Sequence, residues 1–335
     1  MTKNFRQFCL LNEGGAAGVM QHPYHIATNG KELVDIFRKS IKSISGGLAS
    51  LKIDGINVSL RVVDGQFVMD RGSKKDLDVK GIRPEDLKNR FPAGHGLIKI
   101  GKEVIEMFDN SFSLIRPELN KLGLLKNPNL LLNIEYVDGK TNVIDMKGKS
   151  ITIHGILKVI VNEKTGSRDT VEIDHDSDAL LELIEKLKPV FKKKYGYEII
   201  SNVPVYSWES TALKLNDALS EKYTINGETK TLWQWISGVQ EIKLPLINRE
   251  KFSEYLFSLS EIDDPKHTND VIIYLTTTKL GDEILSKLSS DMGNVAKHEG
   301  IVIRDTTISE KPFKITGSFI LKGLYSKFNK KKKDE

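Results

Sequence analysis

The 335-residue chain holds a single cysteine, Cys9, and its lysines and arginines (50) barely outnumber its acidic residues (45). One cysteine excludes an intramolecular disulfide and agrees with a reducing, cytoplasmic setting. No composed site surrounds Cys9, which reads as a small, half-buried hydrophobe. No apolar run reaches the roughly 20 residues of a membrane span, so no membrane association is expected. The N-terminal stretch MTKNFRQFCLLNEGG lacks the long apolar core of a secretory signal. No internal repeat is present, and low complexity is confined to Lys330–Lys333. His22, His25, His95, His175, His267 and His298 do not fall at metal-ligand spacings. Asp174, Asp176 and Asp178 lack the glycine and closing glutamate of a calcium loop, which leaves a solvated loop or a helix N-terminus.

The 39% hydrophobic content suffices for one large core or two modest ones. The net charge of +5 is mildly basic and compatible with a polyanionic partner. Part of it is concentrated in Lys192–Lys194 and Lys330–Lys333, each of which taken alone describes a solvated surface.

The pattern changes along the chain. Residues 1–30 are irregular and Gly-rich, with Gly14, Gly15 and Gly18 close together. Leu33, Ile36, Phe37 and Ile41 then mark a helix over 31–44. Residues 47–70 read as three short strands separated by Asp54-Gly55 and Asp64-Gly65, both natural hairpin punctuation. Helix is expected over 98–122, and buried strands over 129–137 and 150–161. A mostly helical stretch, about 175–298, carries Trp233 and Trp235 as well as Trp208, expected as core aromatics rather than stacking platforms. Strand returns at 300–305 and 313–322. The whole predicts an α+β fold in which late strands complete a sheet begun early.

One ordered set of residues carries chemistry. Lys52 ends an apolar strand in Lys52-Ile53-Asp54-Gly55, and a lysine becomes a nucleophile where burial or nearby cations favour its neutral amine. Gly55 would let a ligand approach the backbone closely. Arg71 follows in Asp70-Arg71-Gly72-Ser73. Glu135 interrupts an apolar strand, a costly position unless it has a partner or a role. His154 follows in Ile153-His154-Gly155-Ile156, then Glu299 before Gly300-Ile301-Val302-Ile303-Arg304, Lys314, and Lys322 in Phe319-Ile320-Leu321-Lys322. A lysine, two carboxylates, an arginine and distal lysines suit attack on a nucleotide phosphate, where charge neutralisation and alignment dominate.

In order and spacing this set resembles the covalent nucleotidyltransferases: ATP-dependent DNA ligases, RNA ligases and mRNA capping enzymes. The matches run from residue 52 to about 328. The resemblance implies a nucleotidyltransferase (ATP-grasp-like) domain with antiparallel sheets over 45–165 and 290–328. The rest would be an N-terminal segment (1–44), a mostly helical insertion (166–289) and a basic tail (329–335). It implies that Lys52 forms lysyl-AMP from ATP. Asp54, Gly55, Asn57, Arg71, Glu135, His154, Lys314 and Lys322 would line the nucleotide site, and Glu299 would bind Mg²⁺ or Mn²⁺. Asn57, five positions after Lys52, and Leu321-Lys322 followed by Ser326-Lys327-Phe328 resemble nick-sealing RNA ligases. No strand-rich segment follows to build a C-terminal OB domain. Leu51 and Leu324 depart from the pattern, standing where a glutamate and a second lysine are usual. The expected activity is ATP-dependent joining of 5′-phosphate and 3′-hydroxyl polynucleotide ends, RNA favoured over DNA, by a monomer as the default state. The alternatives are a minimal DNA ligase, a capping-type enzyme, or a nucleic-acid-binding protein that has lost the reaction.

Overall fold

The structure, a computed structural model, describes residues 20–52, 55–70, 81–138, 148–161, 163–166, 168–201, 204–205, 211–243, 268–291 and 300–318. In chain order the elements begin with α1 (Gly30–Ser45), β1 (Ala49–Lys52), β2 (Ile56–Val63), β3 (Gln66–Asp70), α2 (Leu87–Arg90), α3 (Gly96–Asp109), α4 (Phe112–Lys121), β4 (Leu130–Val137), β5 (Ser150–Val161) and β6 (Arg168–Ile173). They continue with α5 (Ser177–Tyr195), β7 (Glu198–Ser201), β8 (Pro204–Val205), α6 (Thr211–Ser220), β9 (Lys222–Ile225), β10 (Glu228–Thr231), α7 (Leu232–Ser237), α8 (Thr268–Asp291), β11 (Gly300–Ile303) and β12 (Phe313–Thr316). The fold is α+β, and the elements divide between two units, residues 55–202 and residues 20–54 with 203–335.

In the unit spanning 55–202, alternation along the strands separates two faces of one sheet of order β3-β2-β4-β5-β6. Neighbours along this order pair antiparallel, and β7 adds to β5 in parallel. Val58, Leu60, Leu132, Ile134 and Ile153 point into a core shared with Val104 and Phe108 of α3, Leu119 of α4, and Leu183, Leu187 and Phe191 of α5. Tyr136 belongs to this face, where its hydroxyl lies 2.5 Å from that of Tyr197, and both donate to Glu103. Burial pushes both phenols above their ordinary range, so both stay protonated donors. Helix α5 starts where Asp176 accepts from the Ala179 amide at 2.9 Å, and stops at Gly196, whose φ of 75° suits glycine. Its buried Leu180, Leu183, Ile184, Leu187 and Phe191 follow helical spacing.

The opposite face of this sheet carries a group of buried polar residues, Ser59 and Arg61 of β2, Asn133 and Glu135 of β4, and Thr152 of β5, beside the apolar Leu131, Leu157 and Val159. Arg61 is 1% exposed; it pairs with Asp70 and donates to the Pro128 carbonyl at 2.9 Å. Asp64 and Gly65 join β2 to β3 with φ of 52° and 77°, the two positive values that a tight hairpin turn of matching twist requires.

The second unit contains a four-stranded antiparallel sheet of order β12-β11-β1-β8. Its apolar face is made by Ala49, Leu51, Ile301, Ile303, Phe313 and Ile315. Helices α1, α6, α7 and α8 share this unit. Gly281 brings α8 so close to β12 that a Cβ would stand 2.3 Å from the Thr316 carbonyl oxygen. A hairpin, β9–β10, turns at Asn226-Gly227 inside the stretch expected to be mostly helical.

Strands β1 and β2 do not form the expected hairpin. Both edges of β1 are taken, by β11 and by β8, so β2 has no edge to join and instead pairs with β3 and β4. The stretch 166–289 is likewise shared: β6, α5 and β7 belong to the unit 55–202, and α6, β9, β10, α7 and α8 to the other. Among the described residues no helix is long and apolar enough to cross a membrane.

Candidate functional site

The sequence singles out residues in both units. In the second unit, residues directly opposite one another on antiparallel strands share a face, as do residues two apart on one strand. Lys52 pairs with Gly300, which pairs with Thr316; Ser50 pairs with Val302, which pairs with Lys314. Lys52, Ser50, Val302, Lys314 and Thr316 therefore share the face opposite the apolar one. Arg304, two residues beyond Val302, reaches the same face and donates Nη1 to Ser50 Oγ at 2.7 Å. Three cationic side chains thus converge on one side of a sheet. Lys314 is 2% exposed, a costly position for an ammonium without an anionic or polar environment. Strands about 4.8 Å apart put the α-carbons of Lys52 and Lys314 roughly 12 Å apart, a span one polyphosphate can bridge between two lysine side chains.

Gly300 stands between them with no side chain. A Cβ there would meet the Ile315 carbonyl oxygen at 2.1 Å, so the ladder itself demands glycine beside Lys52.

In the unit 55–202, Asn57 pairs with Glu135, and Glu135 with Thr152. The register of β5 then slips: Ile134 faces Ile153, but Asn133 faces Gly155. His154 is the extra residue of a β-bulge, and the bulge re-aims its ring. His154 Nε2 lies 3.1 Å from Glu135 Oε2, with both side chains largely buried. The bulge needs glycine: Gly155 has φ of 137°, and a Cβ there would stand 3.1 Å from His175 Cε1. Asn57 Nδ2 donates to Asn133 Oδ1 at 2.8 Å and to the Ile134 carbonyl at 3.3 Å. Asn57, Asn133, Glu135 and His154 thus form a hydrogen-bonding strip along three strands. Beside it, the buried hydroxyls of Ser59 and Thr152 find no partner among the described residues.

The fold itself gives Gly55 a reason to be glycine. A Cβ would lie 2.6 Å from Glu135 Cγ and 2.8 Å from the Tyr136 carbonyl oxygen. The close approach seen here is that of strand β4.

Of the residues singled out, Lys52 and Lys314 share one sheet face, and Gly55, Asn57, Glu135 and His154 gather on another. Asp54, Arg71, Glu299 and Lys322 lie outside the described residues, as do Leu324, Trp208 and the basic tail. Among the described residues no group of three or more His, Cys, Asp or Glu side chains is placed to hold a metal ion. Sequence reasoning assigned no role to Arg304 or Ser50; the alternation of Gly300, Val302 and Arg304 was the available signal. Trp233, expected in the core, is 37% exposed. Compared with known proteins, the chain matches no protein-family model and no curated protein.

Proposed function

We propose that this protein is an ATP-dependent polynucleotide ligase, acting on RNA ends in preference to DNA, through a covalent lysyl-AMP at Lys52. The observation that carries the reading is the cationic sheet face, where Lys52 stands beside a glycine with Lys314 and Arg304 on the same side. Neighbouring cations favour the neutral, nucleophilic amine and also gather the phosphates it attacks.

In the first step Lys52 Nζ attacks the α-phosphorus of ATP. A P–N bond forms, the bond from the α-phosphorus to the bridging oxygen breaks, pyrophosphate leaves, and the amine loses a proton to solvent. AMP then passes to a 5′-phosphate end, freeing the lysine, and a 3′-hydroxyl attacks that activated phosphate to release AMP. Lys314 and Arg304 stabilise charge on the phosphate oxygens. The resemblance assigns Asn57, Glu135 and His154, in the unit 55–202, to a ribose or a substrate end. Mg²⁺ or Mn²⁺ would neutralise the triphosphate; such ions are commonly held by one or two carboxylates plus phosphates. Glu299, immediately before Gly300, is the carboxylate assigned to it. The preference for RNA rests on Asn57 and on Ser326-Lys327-Phe328 after Lys322.

The test is incubation with α-labelled ATP and Mg²⁺ or Mn²⁺, resolved on a denaturing gel beside Lys52→Ala and a GTP control. Intact-mass measurement first establishes whether the purified protein already carries AMP. The expected result is an ATP-dependent label that Lys52→Ala abolishes, followed by joining of nicked RNA. Absence of any adduct, with polynucleotide binding retained, replaces this reading with that of a binding protein.

A further inference from the structure

Helix α1 has one face in the core and one in solvent. Leu33, Val34, Ile36, Phe37, Ile41 and Ile44 are buried. Lys31, Arg38 and Lys42, at spacings of seven and four, line the outer face and are exposed. Lys39 also lies there, paired with Asp35 at 2.9 Å. Four cations thus share the helix surface with two carboxylates, Asp35 and Glu32, the latter engaged by the Thr28 hydroxyl and amide. Among the described residues, Lys31, Arg38 and Lys42 have no ion-pair partner.

At the middle of this face stands an aromatic ring. Trp233 of α7 is 37% exposed, and the Arg38 guanidinium lies over it at 5.8 Å from the ring centre. Arg38 is also tethered by a 3.4 Å contact to Asn216 of α6. The neighbouring tryptophan differs. Trp235 is half-buried, and its indole N–H donates to the Tyr223 carbonyl at 2.9 Å, so it anchors the β9–β10 hairpin. Among the described residues Trp233 makes no such hydrogen bond, and the part of its ring not covered by Arg38 or by the fold is presented to solvent.

We propose that the outer face of α1 together with Trp233 is a binding surface for a single-stranded segment of polynucleotide. A base would stack on the Trp233 indole, and the phosphates on either side would meet Arg38, Lys31 and Lys42. Charge and chemistry select this occupant: a row of unpaired cations matches a phosphodiester backbone, and an aromatic set among them matches bases. The choice of polynucleotide over another polyanion rests on the ligase reading, in which the face holds the strand leading to the end being joined.

The test uses the full-length protein and a fluorescein-labelled single-stranded RNA of about twelve nucleotides, a length suited to such surfaces. Binding is followed by anisotropy across a salt series, beside labelling with α-labelled ATP. Trp233→Leu is expected to weaken binding about tenfold, as loss of one base stack does, and Trp233→Phe to restore most of it. Arg38→Glu with Lys42→Glu is expected to weaken binding further and to lower the log–log salt slope by about two. Adenylylation of Lys52 is expected to be unchanged in every variant, which also shows that they fold. Unaltered RNA binding in the variants, or no binding by the wild type, overturns the proposal. Equal displacement by poly-glutamate with no effect of Trp233→Leu assigns the face to acidic polypeptides and overturns it too. Loss of RNA binding in the variants of a protein that forms no adduct leaves this surface standing while the ligase reading fails.

Discussion

Lys314 and Lys52 stand on the same face of one sheet with a single strand between them, and Lys314 is 2% exposed. On the proposed reading, this buried ammonium contacts a phosphate of the bound nucleotide. Lys314→Met keeps the length of the side chain and removes its charge. Losing one charge-assisted hydrogen bond of about 2 kcal/mol predicts a fall of roughly thirtyfold in the rate of lysyl-AMP formation. Rapid-quench labelling measures it; a rate within twofold of wild type would remove Lys314 from the site.

In the unit 55–202, His154 and Glu135 form a close polar pair across the bulge. A double-mutant cycle of His154→Ala and Glu135→Gln, read by urea unfolding, is expected to give a coupling energy of about 1 kcal/mol. Additive effects would mean that the 3.1 Å contact contributes nothing to stability.

The bulge itself depends on Gly155. Its φ of 137° is hostile to an L side chain, and His175 occupies the space a Cβ would need. Gly155→Ala is therefore expected to destabilise the protein by about 2 kcal/mol. Gly166→Ala, where φ is 66° and nothing stands within 4 Å, is expected to cost less. Thermal denaturation of the two variants in parallel tests the difference.

Asp305 gives a pH-dependent prediction. The Ser43 hydroxyl donates to its Oδ2 at 2.6 Å, and the Thr307 hydroxyl and amide donate to Oδ1 at 2.6 and 2.9 Å. These bonds hold its carboxyl below the usual range, the Ser43 bond most of all. The folded chain then binds fewer protons than the unfolded chain, so the stabilisation is complete above the ordinary carboxylate pKa of about 4 and is lost as pH falls through the lower folded value. Asp305→Asn should be less stable than wild type at neutral pH, and the gap should narrow below about pH 4. Denaturant unfolding at several pH values checks this; a constant gap would assign the effect to packing.

The sequence made much of this legible, and unevenly. Period-two alternation marks β2, β3 and β4 within a residue of where they lie, and Asp64-Gly65 forms the turn its composition predicts. Glu135 in an apolar strand announces a partner or a role, and His154 is one partner. Pairing was less visible. Nothing local to Leu51 says that it faces Ile301, because register is set by contacts between segments 250 residues apart. The one-residue slip that turns His154 toward Glu135 is invisible for the same reason: a bulge is a property of two strands, and periodicity describes one. Trp233 and Trp235 lie two positions apart, the one exposed and the other half-buried, which hydrophobicity alone does not distinguish. Gly55 was recognisable as obligatory, but the cause, crowding by Glu135 and Tyr136, needed the neighbouring strand.

The pairing of β1 also sets an order of events during synthesis. Residues 55–202 are contiguous, so that unit has all its strands once they have left the ribosome. The strand bearing Lys52 emerges earlier, yet both its edges wait for segments made later, β8 first and β11 last. Non-local pairing of this kind is slow to form and leaves an unpaired strand open to wrong partners meanwhile. A nascent chain stopped before residue 300 would carry its lysine on an unfinished sheet, without the Lys314 and Arg304 that accompany it in the complete one. On the proposed reading, efficient self-adenylylation is expected only once translation has delivered β12.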